Sequence, residues 1–180
     1  FNLYMKITQH IENADKTLFS FEIIPPLKGK GIESLYEGID PLMEFQPPFI
    51  NVTYHREEYS YKDMGAGLLK KISIRKRPGT VGICAAIQSK YKVDAVPHIL
   101  CGGFTKEETE YLLVDCQYLG IENVMALRGD AMKHQRYFEP TDGGHTYATE
   151  LVTQIRNMCE GKFLHETIEA SNCSDFCIGV

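Results

Sequence analysis

The 180 residues predict an α/β fold, an N-terminal fragment of a (β/α)8, or TIM, barrel with about the first five strands. Three features carry that prediction. Short apolar runs at 18–24, 49–53, 94–100, 123–127 and 176–180 alternate with longer segments of helical spacing, the order of a parallel sheet covered by helices. The runs are nearly continuous rather than half polar, as in strands buried on both faces. Each of the first four carries a polar group at or near its carboxyl end: Glu22, Thr53, His98, and Arg128 with Asp130. An open doubly wound sheet gathers its binding groups at one switch point, often after a Gly-rich first turn. Here Pro25-Pro26 follows the first strand, and polar groups at successive strand ends suit a barrel instead.

The elements follow in order. Residues 1–15 are polar, read as a short helix and carry no signal-peptide pattern. The strand at 18–24 is stopped by Pro25-Pro26. Apolar residues at 32, 35, 36, 39, 42 and 43 give 31–45 helical spacing. After the strand at 49–53, residues 64–74 read as a helix, Pro78-Gly79 breaks the chain, and 80–91 reads as a further helix. The stretch 75–90 is taken as a surface insert lengthening this crossover. Following the strand at 94–100, Thr105 is a plausible N-cap and Glu108, three residues on, completes a capping box. Apolar residues at 112, 113, 116 and 119 face inward, and Gly120 ends that helix. The strand at 123–127 leads into a loop at 131–144, a helix at 146–158 and a fifth strand from 176. Barrels of this class typically need about 250 residues. Residues 1–180 are therefore expected to be one partial catalytic domain, with the C-terminal half absent from this chain.

Composition narrows the function classes. The chain is 43% hydrophobic and 24% charged, an ordinary globular balance, with a net charge of −5. That charge gives no sign of a nucleic-acid partner. The cluster Lys70, Lys71, Arg75, Lys76 and Arg77 reads as a solvated helix face and turn. No apolar run approaches the roughly 20 residues that cross a bilayer, so no membrane partner is expected. Six cysteines, 84, 101, 116, 159, 173 and 177, complete no zinc ligand pattern. Reduced, buried thiols in a cytoplasmic protein, with no metal, are the expectation.

Glu22 carries the most chemistry. A carboxylate set in Phe21-Glu22-Ile23-Ile24 is costly to bury as an ion. Flanking apolar side chains should raise its pKa and keep it protonated, unless an arginine such as Arg128 pairs with it. Asp130 suits either a binding site or a turn or helix cap. Thr53 and Tyr54 offer a hydroxyl and a stacking surface, but are also good strand sequence. His98 is a ligand contact or a satisfied core residue. Arg128 presents a fork to a phosphate or ring edge, or forms a structural salt bridge. Gly129 lets backbone approach a ligand. Tyr147 is a ligand contact or an ordinary first-turn aromatic.

Taken in order, Ser20-Phe21-Glu22-x-x-Pro25-Pro26, Val52-Thr53-Tyr54, Pro97-His98-x-x-Cys101 and Ala126-Leu127-Arg128-Gly129-Asp130, with Tyr147-Ala148, resemble the methylenetetrahydrofolate reductase family. The resemblance runs from Ser20 to Val180 and matches the amino-terminal part of that family's catalytic barrel. It implies a cytoplasmic FAD flavoprotein of one-carbon metabolism and methionine synthesis. Its reaction would reduce 5,10-methylenetetrahydrofolate to 5-methyltetrahydrofolate, with NADH or NADPH as reductant. It implies that Glu22 is the general acid, protonating folate N10 so that the methylene bridge opens to a reactive N5 iminium. Asp130 is the second catalytic residue, stabilising that cation. Glu22, Thr53 and Asp130 become folate contacts. Thr53, Tyr54, His98, Arg128, Gly129, Asp130, Tyr147 and Ala148 become FAD contacts, with helix amides near Tyr147 serving the pyrophosphate. The run from His55 to Tyr59 is bulky and charged where many members have a small-residue loop. Relatives of this kind are often homo-oligomers. Two other readings stay open: a metal-assisted barrel hydrolase or lyase with Glu22, His98 and Asp130 as ligands, and a catalytically silent half-barrel that serves assembly.

Overall fold

The structure is a computed structural model, and residues 4–132, 135–165 and 175–180 are described. The elements run α1 (Ile7–Glu12), β1 (Phe21–Ile23), α2 (Glu33–Ile39) continuing as a 3₁₀ turn (Asp40–Phe45), β2 (Phe49–Val52), β3 (Glu58–Asp63), β4 (Leu69–Ile74), α3 (Thr80–Tyr91), β5 (Asp94–Leu100), α4 (Lys106–Tyr118), β6 (Asn123–Leu127), α5 (Ala148–Cys159) and β7 (Cys177–Gly179). Five strands form one parallel sheet in the order β1-β2-β5-β6-β7, and β3 with β4 makes a separate antiparallel hairpin. The five parallel strands follow one another in the expected order, and the hairpin replaces an expected helix. The five strands form an open sheet with β1 and β7 at its edges.

Alternation along the strands divides the sheet into two faces. Ile50, Val52, Ala95, Ile99, Val124 and Ala126 turn towards the helices and are buried. There they meet Leu35 and Ile39 of α2, Ile83 and Ile87 of α3, Leu113 of α4, and Leu151, Ile155 and Met158 of α5. Each such aliphatic side chain contributes roughly 1.5–3 kcal/mol by leaving water. The opposite face carries Glu22, Asn51, Val96, His98, Met125 and Gly179, aligned by register from strand to strand.

Local signals set the best-defined elements. In α4, Thr105 Oγ1 accepts the Glu108 amide at 3.1 Å, and Glu108 Oε2 accepts the Thr105 amide at 2.8 Å. At its other end Gly120 takes φ +67°, and the Ile121 amide closes on the Cys116 carbonyl at 2.9 Å, a Schellman stop. Thr105→Ala is expected to cost about 1 kcal/mol in urea unfolding, with the slope unchanged.

Segment α1 is tied to the amino ends of two strands. The Met5 amide and His10 Nε2 both reach Asp94 Oδ2, at 3.1 and 2.7 Å. Asn123 accepts from the Ile7 amide at 2.8 Å and donates to the Met5 carbonyl at 2.9 Å. These contacts satisfy two buried polar side chains at one end of the sheet and leave the carboxyl ends open.

The crossover from β2 to α3 differs from expectation. Residues 64–74 are not a helix: residues 69–74 form β4, paired antiparallel with β3 from Glu58↔Ile74 to Asp63↔Leu69. Gly65, Ala66 and Gly67 all have positive φ (+83°, +52° and +76°), which makes a tight reversal and excludes a helix start there. The surface insert is thus the hairpin, whereas Thr80–Tyr91 is a core helix burying Ile83, Cys84 and Ile87. Strand β1 is also shorter than 18–24, because Phe19 stands 63% exposed outside the sheet.

Burial pushes the Cys101 thiol up to about 11 and the Cys116 thiol up to about 12, and raises Cys84 well above its ordinary value. All three are therefore protonated and unreactive at neutral pH. Cys173 lies outside the described residues. No described helix is long and apolar enough to cross a membrane.

Candidate active site

The strand-end residues converge at the carboxyl ends of β1, β2, β5 and β6. Thr53 extends β2 by one rung, its amide bonding the Ile23 carbonyl at 2.9 Å. That places the Thr53 hydroxyl beside Glu22, where it donates to Oε1 at 2.8 Å. His98 lies in register with the next level of β2 and is 6% exposed. Burial holds its imidazole below the ordinary pKa, against the opposing pull of the Glu22 charge. The two side chains therefore share one face and feel one another. His98 Nε2 is buried without a hydrogen-bond partner, and so is Asn51 Oδ1.

Glu22 itself is exposed, which corrects the expectation of an apolar niche. Its sequence neighbours are not its spatial neighbours, since a strand sends successive side chains to opposite faces. Phe21 turns to Phe45, with ring centroids 5.8 Å apart, and Ile23 packs against the core. Ile24 stands 57% exposed. No arginine or lysine pairs with Glu22 among the described residues. Arg128 instead lies over the Phe138 ring at 5.3 Å and is otherwise exposed.

A cavity of about 390 Å³ opens beside this group, between the β2 end with the hairpin base and the β5 and β6 ends. Tyr54, Arg56, Tyr59, Gly102, Gly129 and Asp130 line it. The Tyr54 ring packs on Phe104 at 4.8 Å, and burial raises its hydroxyl pKa. Gly129 has φ +82°, and a Cβ there would meet Leu100 Cδ1 at 3.2 Å. A side chain at this turn would be both strained and crowded, so the backbone stays bare toward the cavity. Asp130 sits in open loop rather than at a helix cap.

Tyr147 and Ala148 lie at the start of α5, with Tyr147 as N-cap and 59% exposed. The amides of Thr146 and Tyr147 are already held by Glu150 Oε2, at 2.8 and 3.3 Å. Those bonds hold the Glu150 carboxyl below its ordinary range. The two amides are thus engaged within the protein, unlike the free donors expected for a pyrophosphate. No contact among the described residues joins Tyr147 or Ala148 to Glu22, Thr53 or His98.

One residue escaped the sequence reading, and another was read only as part of the bulky, charged run at 55–59. Asn51 pairs in register with Glu22 and shares its face; alternation from Thr53 would have found it. Arg56, set among the bulky residues after β2, is half-buried, with burial lowering its pKa and Asp130 opposing that shift. It packs across Gly102 and Gly103, where an added Cβ would meet its NH1 at 2.8 Å and its Cβ at 3.1 Å respectively. Among the described residues no three His, Cys, Asp or Glu side chains gather as a metal ligand set, and Glu22, His98 and Asp130 do not form one.

These features fit a planar polar cofactor. Two buried polar atoms on one face lack partners, a carboxyl–hydroxyl pair lies at the ends of β1 and β2, and a bare glycine turn edges a cavity that begins at Tyr54, the next residue.

Comparison with known proteins gives the same direction. The family model described as methylenetetrahydrofolate reductase matches residues 6–180. Methylenetetrahydrofolate reductase (NADH) 1 of Arabidopsis thaliana is 31% identical over 156 residues, covering 85% of this chain and 24% of the relative. Methylenetetrahydrofolate reductase 2 of Saccharomyces cerevisiae is 27% identical over 153 residues, covering 84% of this chain and 23% of the relative. The 5,10-methylenetetrahydrofolate reductase of Escherichia coli is 29% identical over 142 residues, covering 78% of this chain and 40% of the relative. The chain thus spans about a quarter of the eukaryotic relatives and two fifths of the bacterial one. With a family match over almost its whole length, the chain belongs to the methylenetetrahydrofolate reductase family.

Proposed function

We propose that this chain supplies the first strands of a (β/α)8 catalytic barrel that reduces 5,10-methylenetetrahydrofolate to 5-methyltetrahydrofolate, using FAD and NADH or NADPH. The cytoplasm, a homo-oligomeric state and a role in methionine synthesis belong to the same proposal. The observation that most supports it is the Glu22–Thr53 hydrogen bond facing a buried His98 with a partnerless Nε2, all at strand carboxyl ends.

FAD, when bound, carries the hydride from the nicotinamide to the folate. His98 and Thr53 would border its ring system, Tyr54 would add stacking surface, and Gly129 a bare backbone approach. Arg128, Tyr147 and Ala148 are proposed as further contacts. The protein's own work is proton handling. Thr53 donates to Glu22 Oε1, which leaves Oε2 to bear the acidic hydrogen. Ligands held on this face would exclude water from that carboxyl while Thr53 keeps it oriented. Glu22 then gives its proton to folate N10, the bridge C–N bond breaks, and Asp130 stabilises the N5 cation electrostatically. Burial keeps His98 neutral, so it offers a hydrogen bond without a competing positive charge.

The test is spectroscopic and kinetic on the full-length protein. A flavin absorption spectrum, NADH or NADPH oxidation with menadione, and formation of 5-methyltetrahydrofolate are expected. A colourless protein that neither takes up FAD nor oxidises either nucleotide would end this reading.

A further inference from the structure

Arg56 leaves the end of β2 and crosses the turn after β5 to reach the loop after β6, so one side chain joins three of the strand ends that form the site. Its path is narrow. A Cβ on Gly102 would meet Nη1 at 2.8 Å and the Phe138 ring at 3.1 Å, and one on Gly103 would meet the Arg56 Cβ at 3.1 Å. The side chain therefore lies against two bare residues, which limits where its guanidinium can go. On the far side Nη2 donates to Gln135 Oε1 at 3.4 Å. Gln135 is itself oriented: its Nε2 donates to Glu139 Oε2 at 2.6 Å, so Oε1 faces Arg56 and the Met132 amide, 3.2 Å away. The Gln135 amide closes on the Met132 carbonyl at 2.8 Å. Arg56 is thus tied, through Gln135, to a residue two places beyond Asp130.

Charge gives this tie a direction. Among the described residues lining the 390 Å³ cavity, Arg56 is the one permanent cation, set against Glu57, Glu58 and Asp130. Glu57 accepts the Ser73 hydroxyl, and Glu58 pairs with Lys76 at 2.6 Å. Burial and the nearby Arg77 hold His55 below the ordinary imidazole pKa, which favours its neutral form. Arg128 lies over Phe138, Glu139 is engaged by Gln135, and Glu22 and His98 stand outside this lining. Burial lowers the Arg56 pKa, with Tyr59 and Asp130 opposing. A phenol is uncharged at neutral pH, so Asp130 is the charge left to answer the guanidinium.

We propose that Arg56 is a positioning residue for the reaction, pinning the loop that carries Asp130 and supplying the cation that keeps this carboxylate charged at the cavity wall. The proposal rests on the reductase reading above, in which Asp130 stabilises the N5 cation and can do so only as an anion held in place beforehand. The bond to Gln135 is long, so its value lies in placement rather than in strength.

The experiment uses the full-length protein with R56M, R56K and G102A. Rapid mixing reads flavin reduction by NADH or NADPH and flavin reoxidation by 5,10-methylenetetrahydrofolate, each across pH. R56M should slow reoxidation roughly tenfold more than it slows reduction. Loss of a cation makes a neighbouring carboxylate easier to protonate, so the acidic limb of reoxidation should move up by about half to one pH unit. The alkaline limb, set by Glu22, should stay. R56K keeps the charge and should keep the limb, although an ammonium does not replace the planar fork. G102A keeps the charge but pushes Nη1 aside, and its single added methyl group tests the tie even if R56M does not fold. Hydrogen exchange reads the tie without substrate: the Met132 amide should exchange roughly three- to tenfold faster in R56M and in G102A. An acidic limb that stays put in R56M, or moves as far in R56K, would overturn the proposal, as would unchanged Met132 exchange in G102A. Equal slowing of both half-reactions would make Arg56 a structural residue. Faster exchange in variants of a protein that reduces no folate keeps the clamp and removes the reductase reading. Folate turnover with unchanged exchange and a fixed limb does the reverse.

Discussion

Glu22→Gln is expected to lower folate reduction by at least about 100-fold while leaving FAD bound and reducible by NADH or NADPH. The size follows from the contribution of a positioned general acid, roughly 10²–10⁴-fold. The selectivity follows from the geometry. A glutamine amide oxygen can still accept the Thr53 hydroxyl, so the 2.8 Å contact and the shape of the strand ends survive. What disappears is the transferable proton, which only the folate half of the reaction needs. Because Glu22 is exposed and its described contact is this one bond, stability should change by less than about 0.5 kcal/mol. Rapid-mixing measurements of flavin reduction by the nucleotide, and of reoxidation by folate, separate the two halves. Folate turnover at the unaltered rate in this variant would remove Glu22 from the acid role, and loss of flavin would make it a structural residue.

Adjacent residues of β5 should give opposite results. Ile99 faces the helices at 0% exposure and lies in register with Ala126. Ile99→Ala is expected to cost about 3 kcal/mol, the usual 2–5 kcal/mol for a buried aliphatic truncation, and to lower Tm by roughly 6–12 °C. His98→Leu should instead leave stability equal or raise it, because a buried nitrogen with no partner costs about 1–3 kcal/mol. The pH dependence has a definite sign. Burial sets the folded His98 pKa below the ordinary imidazole value, so the unfolded chain takes up the proton first as pH falls. Stability linked to His98 is therefore full above about pH 6.5 and is lost as pH drops toward the lower folded value. His98→Leu should flatten that slope and weaken FAD binding, read by thermal unfolding and by flavin titration. If it destabilised as much as Ile99→Ala, the face turned from the helices would be core rather than site.

Much of this was legible in the chain because the signals are local. The capping box at Thr105 and Glu108, the stop at Gly120 and the two central strands follow from hydrogen-bonding side chains and apolar runs within a few residues. The strand-end polar residues are legible for the same reason. The hairpin of β3 and β4 was not. Its strands are defined by pairing with each other, Glu58 with Ile74, and Leu68 and Leu69 stand 67% and 66% exposed with no core to mark their face. The basic cluster is largely solvated as read, but Lys70 and Lys71 sit on β4 rather than on a helix.

The order of the five parallel strands, the capped ends of α4 and the set of candidate residues were thus determined by the sequence alone, because each depends on periodicity or on bonds reaching three or four residues. The company those residues keep was decided only in three dimensions. Glu22 lies in a run of apolar neighbours yet meets Thr53 and His98, from two other strands. Parallel pairing brings residues 31 and 76 positions away onto its face, while the pleat turns its own neighbours to the other side.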